Sequence, residues 1–240
     1  MLTKTNSWAG TLGACVLASG LMIAAGCGTN DDLDLSQLPI ASEDAMAATT
    51  PGELVFQWVR PSAAEIYCLR APCPAYVTTD VNLARQDLTY AIDWRALRLP
   101  TDKQTALSDQ AGRALLYGRY TTAKAFGEKV QVFQVTRANL PVSQQSIDTP
   151  DSDRYYSVHA SAPTCQQPPC QGLSASLLNK LQPEQWSGVD LGRLGLTPAA
   201  QEKLLSELQS GTAYVSTHDV SRMPVVLSEA FRPYTAAPLP

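Results

Sequence analysis

Histidine is scarce in this chain, and charge is thin. The 240 residues hold two histidines, His159 and His218, too few for the metal cages that combine cysteine and histidine knuckles. Charged residues make up 17% of the sequence and the net charge is −4, so the basic face that nucleic acid demands is missing. After the first 26 residues there is no G-x-S-x-G, H-E-x-x-H, S-x-x-K or P-loop, hence no preassembled nucleophile, zinc or phosphate motif. A hydrolase would have to build its site through space, around His159 or His218. No apolar run reaches the ~20 residues that a membrane-spanning helix needs. Nothing in the sequence calls for a cofactor.

What is present begins with an export signal. MLTKTNSWAG carries one lysine, and TLGACVLASGLMIAA (11–25) is apolar and ends in small residues, the shape of a secretory leader. Ala24-Ala25-Gly26 directly precede Cys27, and this stretch resembles a bacterial lipobox. The resemblance implies a lipoprotein signal at 1–26 and acylation of Cys27 as the mature N-terminus, with palmitate among the chains. Gly28, where retention signals place Asp, implies sorting to the outer membrane. Several acyl chains would hold the protein firmly, where one alone binds marginally. Residues 27–51 are acidic, small and without periodicity, and read as a disordered tether.

The rest of the chain repeats itself. A shift of 97 residues brings Cys68 onto Cys165, Pro72 onto Pro169, Cys73 onto Cys170 and Asn82 onto Asn179. The same shift superimposes Asp93 on Asp190, Leu97 on Leu194, Leu99 on Leu196, Gln104 on Gln201 and Leu107 on Leu204. Upstream, FQWVR (56–60) matches YYSVH (155–159) if two residues are dropped, and GRALLYG (112–118) matches GTAYVST (211–217) with two inserted. A tandem duplication follows, with repeat domains at 52–142 and 154–235, a polar linker at 143–153 and a tail at 236–240.

Each repeat reads as strand, strand, strand, helix, strand, strand. LVFQWVR (54–60) is closed by Pro61, and AYVTTDV (75–81) and DLTYAIDW (87–94) follow, rich in β-branched and aromatic residues. Thr101 and Gln104 suggest a capping box, and Thr197-Pro198 an N-cap with proline at the first helical position. Gly112 and Gly211 are expected to stop the two helices. Residues 113–122 and 129–137 form a hairpin, and 223–231 the last strand of the second repeat. The expected class is β-rich α+β, two tandem homologous domains of about five antiparallel strands and one helix, with an OB-like barrel as the preferred version of each and an open sheet packed on the helix as the other.

Export favours disulfides for the paired cysteines, and duplication favours Cys68–Cys73 and Cys165–Cys170 among three possible pairings. Zinc or C-x-x-C redox chemistry fits their spacing poorly. The first loop carries Arg70 and the second Gln167. A stiff loop offering a basic side chain has the physical design of a protease-inhibitor loop. Asp93 and Asp190 precede Leu-x-Leu turns and suit backbone capping better than catalysis. Trp58, Trp94 and Trp186 lie in apolar runs and are expected in the core.

V-R-P (59–61), C-x-x-x-P-C and D-[WL]-x-x-L-x-L together resemble a domain family of unknown function found in predicted bacterial lipoproteins, singly or in tandem. The second copy carries D-L-x-x-L-G-L in full, as Asp190, Leu191, Leu194, Gly195 and Leu196. The resemblance covers about 54–234. It implies architecture and an envelope address, and brings no activity. The expectation is thus a non-enzymatic binding or structural module held to the membrane by Cys27, with an unidentified protein or polysaccharide partner in the envelope. A protease inhibitor using Arg70 and a spatially assembled hydrolase are the alternatives.

Overall fold

The computed structural model describes Leu35, Leu38 and residues 56–143, 153–161, 172–180 and 182–235. Cys27, Cys165, Cys170 and Gln167 lie outside the described residues, as do the leader and most of the tether and linker.

Strands β1 (Gln57–Ala63), β2 (Tyr76–Asp80), β3 (Arg85–Thr89) and β4 (Ala91–Asp93) lead through a 3-10 turn to helix α1 (Thr101–Ser108), then to β5 (Leu115–Ala125) and β6 (Glu128–Pro141). The succession recurs as β7 (Arg154–Ala160), β8 (Leu173–Leu177), β9 (Pro183–Trp186), β10 (Val189–Asp190), α2 (Pro198–Gln209), β11 (Tyr214–Thr217), β12 (Val225–Val226) and β13 (Glu229–Pro233). One large sheet runs β3-β2-β1-β5-β6-β13-β11-β7-β8-β9, with β4 parallel to β6 and β10 parallel to β12 off it. The strand order in the first half, from edge to centre, is therefore matched in the second. Between them β6 and β13 pair antiparallel, with Leu140 opposite Arg232 at the middle of the seam and Pro141 opposite Phe231 beside it.

The protein is thus β-rich, with a mainly antiparallel sheet and two helices. It is not a closed barrel: β3 and β9 are the ends of the ladder, each hydrogen-bonded along one side. DLTYAIDW does not form one strand. It breaks at Tyr90, whose amide donates to Gln131 O at 2.8 Å, so that β3 stays on β2 while β4 crosses to β6.

Other expectations need correction. Pro61 does not end β1, which continues to Ala63. Beyond Val59 the strand pairs with β2 alone, so a residue without an N–H is tolerated there. The offset of 97 also holds upstream, without the dropped pair: β1 and β7 are both seven-residue strands, with Val59 opposite Asp80 and Tyr156 opposite Leu177. Trp58 therefore corresponds to Tyr155. In α1 the N-cap is Pro100 and no capping box forms; Gln104 instead donates to Leu99 O at 2.8 Å. The repeat shows why glutamine stands there, since Gln201 donates to Leu196 O at 3.0 Å. In α2 the expected cap is present, Thr197 accepting from Ala200 N with Pro198 in the first turn. Gly211 follows α2 with φ +75°, but α1 ends at Ser108 and Gly112 sits in a 3-10 turn. The last strand of the second half is β13, shorter than the expected 223–231.

Each half has its own core. Leu107 on α1 packs with Val59, Trp94, Leu116 and Phe133, and Leu204 and Leu208 on α2 pack with Tyr156, Trp186 and Val215. All three expected core tryptophans are buried, Trp186 completely. A third cluster lies between the halves, built from Trp58, Val81, Leu115, Tyr155, Leu178 and Phe231. Two tether residues are also packed: Leu35 and Leu38 rest against Tyr90, Ala91, Val130 and Val132. The apolar pair at i, i+3 spacing finds a face on the first half, which acidic composition alone hides.

Candidate functional site

The repeated asparagines hold the seam. Asn82 accepts from Tyr155 N at 2.8 Å and donates to Tyr155 O at 2.7 Å and Leu178 O at 2.8 Å. Asn179 does the same to the other half, accepting from Trp58 N at 2.8 Å and donating to Trp58 O at 2.8 Å and Val81 O at 3.0 Å. Both sit in the left-handed region, with φ near 61° and 62°, which Asn tolerates better than other side chains. Each carboxamide imitates the edge of a strand for the opposite half.

Beside this clasp an ion pair crosses the seam. Arg60 Nη1 donates to Glu229 Oε2 at 2.8 Å and to the Tyr155 hydroxyl at 3.0 Å, and its guanidinium lies over the Tyr155 and Phe231 rings. Burial pushes the Glu229 carboxyl up, against the pull of Arg60. Asp153, also buried, accepts from Ser216 Oγ at 3.1 Å, with His218 Nδ1 at 3.9 Å from its other oxygen. Burial raises its pKa as well, opposed by bonds from Ser228 and Ser216.

Arg60, Asn82, Asp153 and Tyr155 border a cleft of about 740 Å³ between the halves, whose wall also includes Asp80, Arg154 and Lys180. Asp80 is 1% exposed and neither oxygen has a hydrogen-bond partner. Burial, partly offset by Arg85 and reinforced by Asp87, pushes its pKa up to about 6. Asp80, Asp153 and Glu229 escaped the sequence reading because no motif marks them, and Arg60 was read only as the middle of V-R-P, without a role. One signal was present: the 97-residue offset sets Asp80 against Leu177, an acid against a buried apolar residue.

Asp153 and His218 are near each other, while Ser216 is completely buried and its hydroxyl donates to Asp153. His159 is exposed on β7. Asp93 and Asp190 do cap their turns: Asp93 Oδ1 accepts from Arg95 N at 3.1 Å and Asp190 Oδ1 from Gly192 N at 2.8 Å. The turns end alike, with Arg98 and Gly195 in the left-handed region.

The loop between β1 and β2 is the most exposed feature of the first half. Cys68 and Cys73 are disulfide-bonded with Cα atoms 5.8 Å apart. Tyr67 is 89% and Leu69 88% exposed, Ile66 is exposed, and Arg70 stands out from the same ring. Solvent covers side chains that would ordinarily be core. No helix among the described residues is long and apolar enough to cross a membrane. No protein-family model, curated protein or solved structure matches the chain.

Proposed function

We propose that this chain is a non-enzymatic, lipid-anchored envelope protein that binds a protein partner through the Cys68–Cys73 loop. The carrying observation is the near-complete exposure of Tyr67 and Leu69 on a ring closed by a disulfide. Two large apolar side chains held in water gain free energy when a partner covers them, at ~25 cal/mol per Å². The closed ring has already lost much of the freedom that binding would cost. The order of pairing within each half, β3-β2-β1-β5-β6 with β4 parallel to β6, supports two homologous domains of OB type opened out into a shared sheet. The address at the outer membrane rests on the residues around Cys27. Metabolic palmitate labelling tests the anchor, with Cys27→Ala as control. A wild-type protein that takes up no label refutes it.

The partner is tested with a photocrosslinking residue at position 69 and another at Phe126, a distant exposed residue. One discrete adduct from position 69, absent at 126 and abolished by Tyr67→Ser, supports the reading. Equal adducts at both positions refute it. Exposed Arg70 keeps a second reading, inhibition of a protease with a basic-residue pocket. Loss of trypsin inhibition in Arg70→Ala would support it, and a wild-type protein that is simply cleaved at Arg70 removes it.

A further inference from the structure

We propose that the first half binds a calcium ion between Asp80 and Asp87, in the place that the Arg85 guanidinium takes. The strand register sets the site. Asp80 pairs with Arg85 and Thr78 with Asp87, so these four side chains and Thr89 share one face of β2 and β3, with Val59 of β1 opposite Asp80. Tyr120 of β5 reaches the same face: its hydroxyl is 2.7 Å from Thr78 Oγ1, which lies 2.9 Å from Thr89 Oγ1. The second half shows what the fold itself requires here. At the 97-residue offset Thr78, Asp80 and Thr89 become Ala175, Leu177 and Trp186, all packed in its core. Asp87 becomes Glu184, a single acid that accepts from the Tyr156 hydroxyl at 3.2 Å and from Trp186 Nε1 at 3.3 Å. The first half instead gathers two carboxylates and three hydroxyls.

Asp80 is 1% exposed and neither of its oxygens has a hydrogen-bond donor. A buried carboxylate in that condition is among the most costly groups in a protein. Arg85 serves two acids at once, with Nε 2.8 Å from Asp87 but 3.8 Å from Asp80. Its side chain is 57% exposed, so little holds it there against a competing cation. The hydroxyls are neutral, and burial holds that of Tyr120 up at about 12. Ligands that are all oxygen select a hard cation. Among the described residues no three acidic, histidine or cysteine side chains gather for a metal. The two carboxylates therefore share the ion with hydroxyls, backbone carbonyls and water, which the about six to eight oxygen ligands of calcium allow. Magnesium dehydrates reluctantly and suits a buried carboxylate less. Nothing in this site depends on the loop, the anchor or a partner.

The test strips the full chain with a chelator, then titrates it at pH 7 with calcium chloride, and with magnesium chloride for comparison. The readouts are the amide resonances of Asp80, Asp87 and Tyr120 and the melting temperature. Saturable shifts centred on β2 and β3 are expected, with Kd in the range of about 10⁻⁴–10⁻³ M known for weak calcium sites, and a melting temperature that rises with calcium. Asp80→Leu installs the residue of the second half and Asp80→Asn keeps the shape. Both should weaken calcium binding by at least about tenfold and, in chelator, melt no lower than wild type. Arg85→Gln removes the competing charge and should tighten calcium binding by about fivefold or more. Unchanged affinity in Asp80→Asn, or no gain in Arg85→Gln, overturns the proposal. So does magnesium binding as tightly as calcium, or no saturable shift up to about 20 mM, well beyond the weak end of that range. Shifts scattered over the acidic surface mean an adventitious ion only and overturn it too. A lower melting temperature of both Asp80 variants in chelator also overturns it, because Asp80 would then serve the fold.

Discussion

Removing Asn82 should separate the contribution of the seam from that of the two cores. The carboxamide makes three bonds across the seam, to Tyr155 N, Tyr155 O and Leu178 O. Each contributes ~1 kcal/mol net, and more where the abandoned backbone group stays out of water. Asn82 also occupies φ 61°, a conformation that costs an ordinary L-residue roughly 1–2 kcal/mol. Asn82→Gly keeps that conformation accessible and deletes only the bonds, so it should lose about 3 kcal/mol. Asn82→Ala adds the backbone term and should lose about 4 kcal/mol. Urea unfolding, followed by the fluorescence of Trp58 and its neighbours, measures both. The variant Asn82→Gly/Asn179→Gly should lose less than the sum of the singles, since the second asparagine then has no seam left to hold. Stability of Asn82→Gly within about 0.5 kcal/mol of wild type would refute the reasoning, and the clasp would be ornament.

Three further outcomes are expected. A Cβ on Gly118 would lie 2.0 Å from Gln134 O, at the bulge between β5 and β6, so Gly118→Ala should cost more than about 3 kcal/mol in the same unfolding assay. Glu229→Ala removes the carboxylate partner of Arg60 while its bond to the Tyr155 hydroxyl remains, and should cost about 3 kcal/mol, whereas Arg60→Met/Glu229→Leu recovers most of it; thermal melts distinguish the two. The third concerns acid. Asp80 has its folded pKa raised from 3.8 to about 6, so between those values the native state binds the extra proton and stability falls as pH rises. The contribution is present in full below about pH 4 and lost above pH 6, a change of about 3 kcal/mol. Asp80→Asn should therefore raise the melting temperature at pH 7 and leave it unchanged at pH 4.

Much of the architecture was legible because the repeated residues perform fold-level tasks. Asp93 and Asp190 cap turns, Gln104 and Gln201 hold the carbonyl of the preceding leucine, and Leu107 and Leu204 fill the two cores. Asn82 and Asn179 gave no hint of their partners, since those lie 73 and 121 residues away. The break at Tyr90 was hidden for a related reason: β-propensity runs unbroken through DLTYAIDW, and only the competing edges of β2 and β6 divide it. Barrel closure was also beyond local pattern, because the pairing of β6 with β13 is settled between halves. The buried acid of β2 is a difference between the repeats, and a search for identities passes over differences. Asp80 against Leu177 is such a difference.

Leu35 and Leu38 have a mechanical consequence. Arg95 ties this segment down, donating to Leu38 O at 3.2 Å while paired with Asp93, and Gly192 occupies the matching place in the second half. With acyl chains on Cys27, the leash from membrane to body is then the eight residues up to Leu35, at most about 28 Å. Counted to Phe56 it would be about 100 Å. Under the proposed acylation of Cys27, a pull on the anchor would first be resisted at the Leu35–Leu38 patch. On that proposal the docked pair would set the radius within which the proposed partner of the Cys68–Cys73 loop has to come.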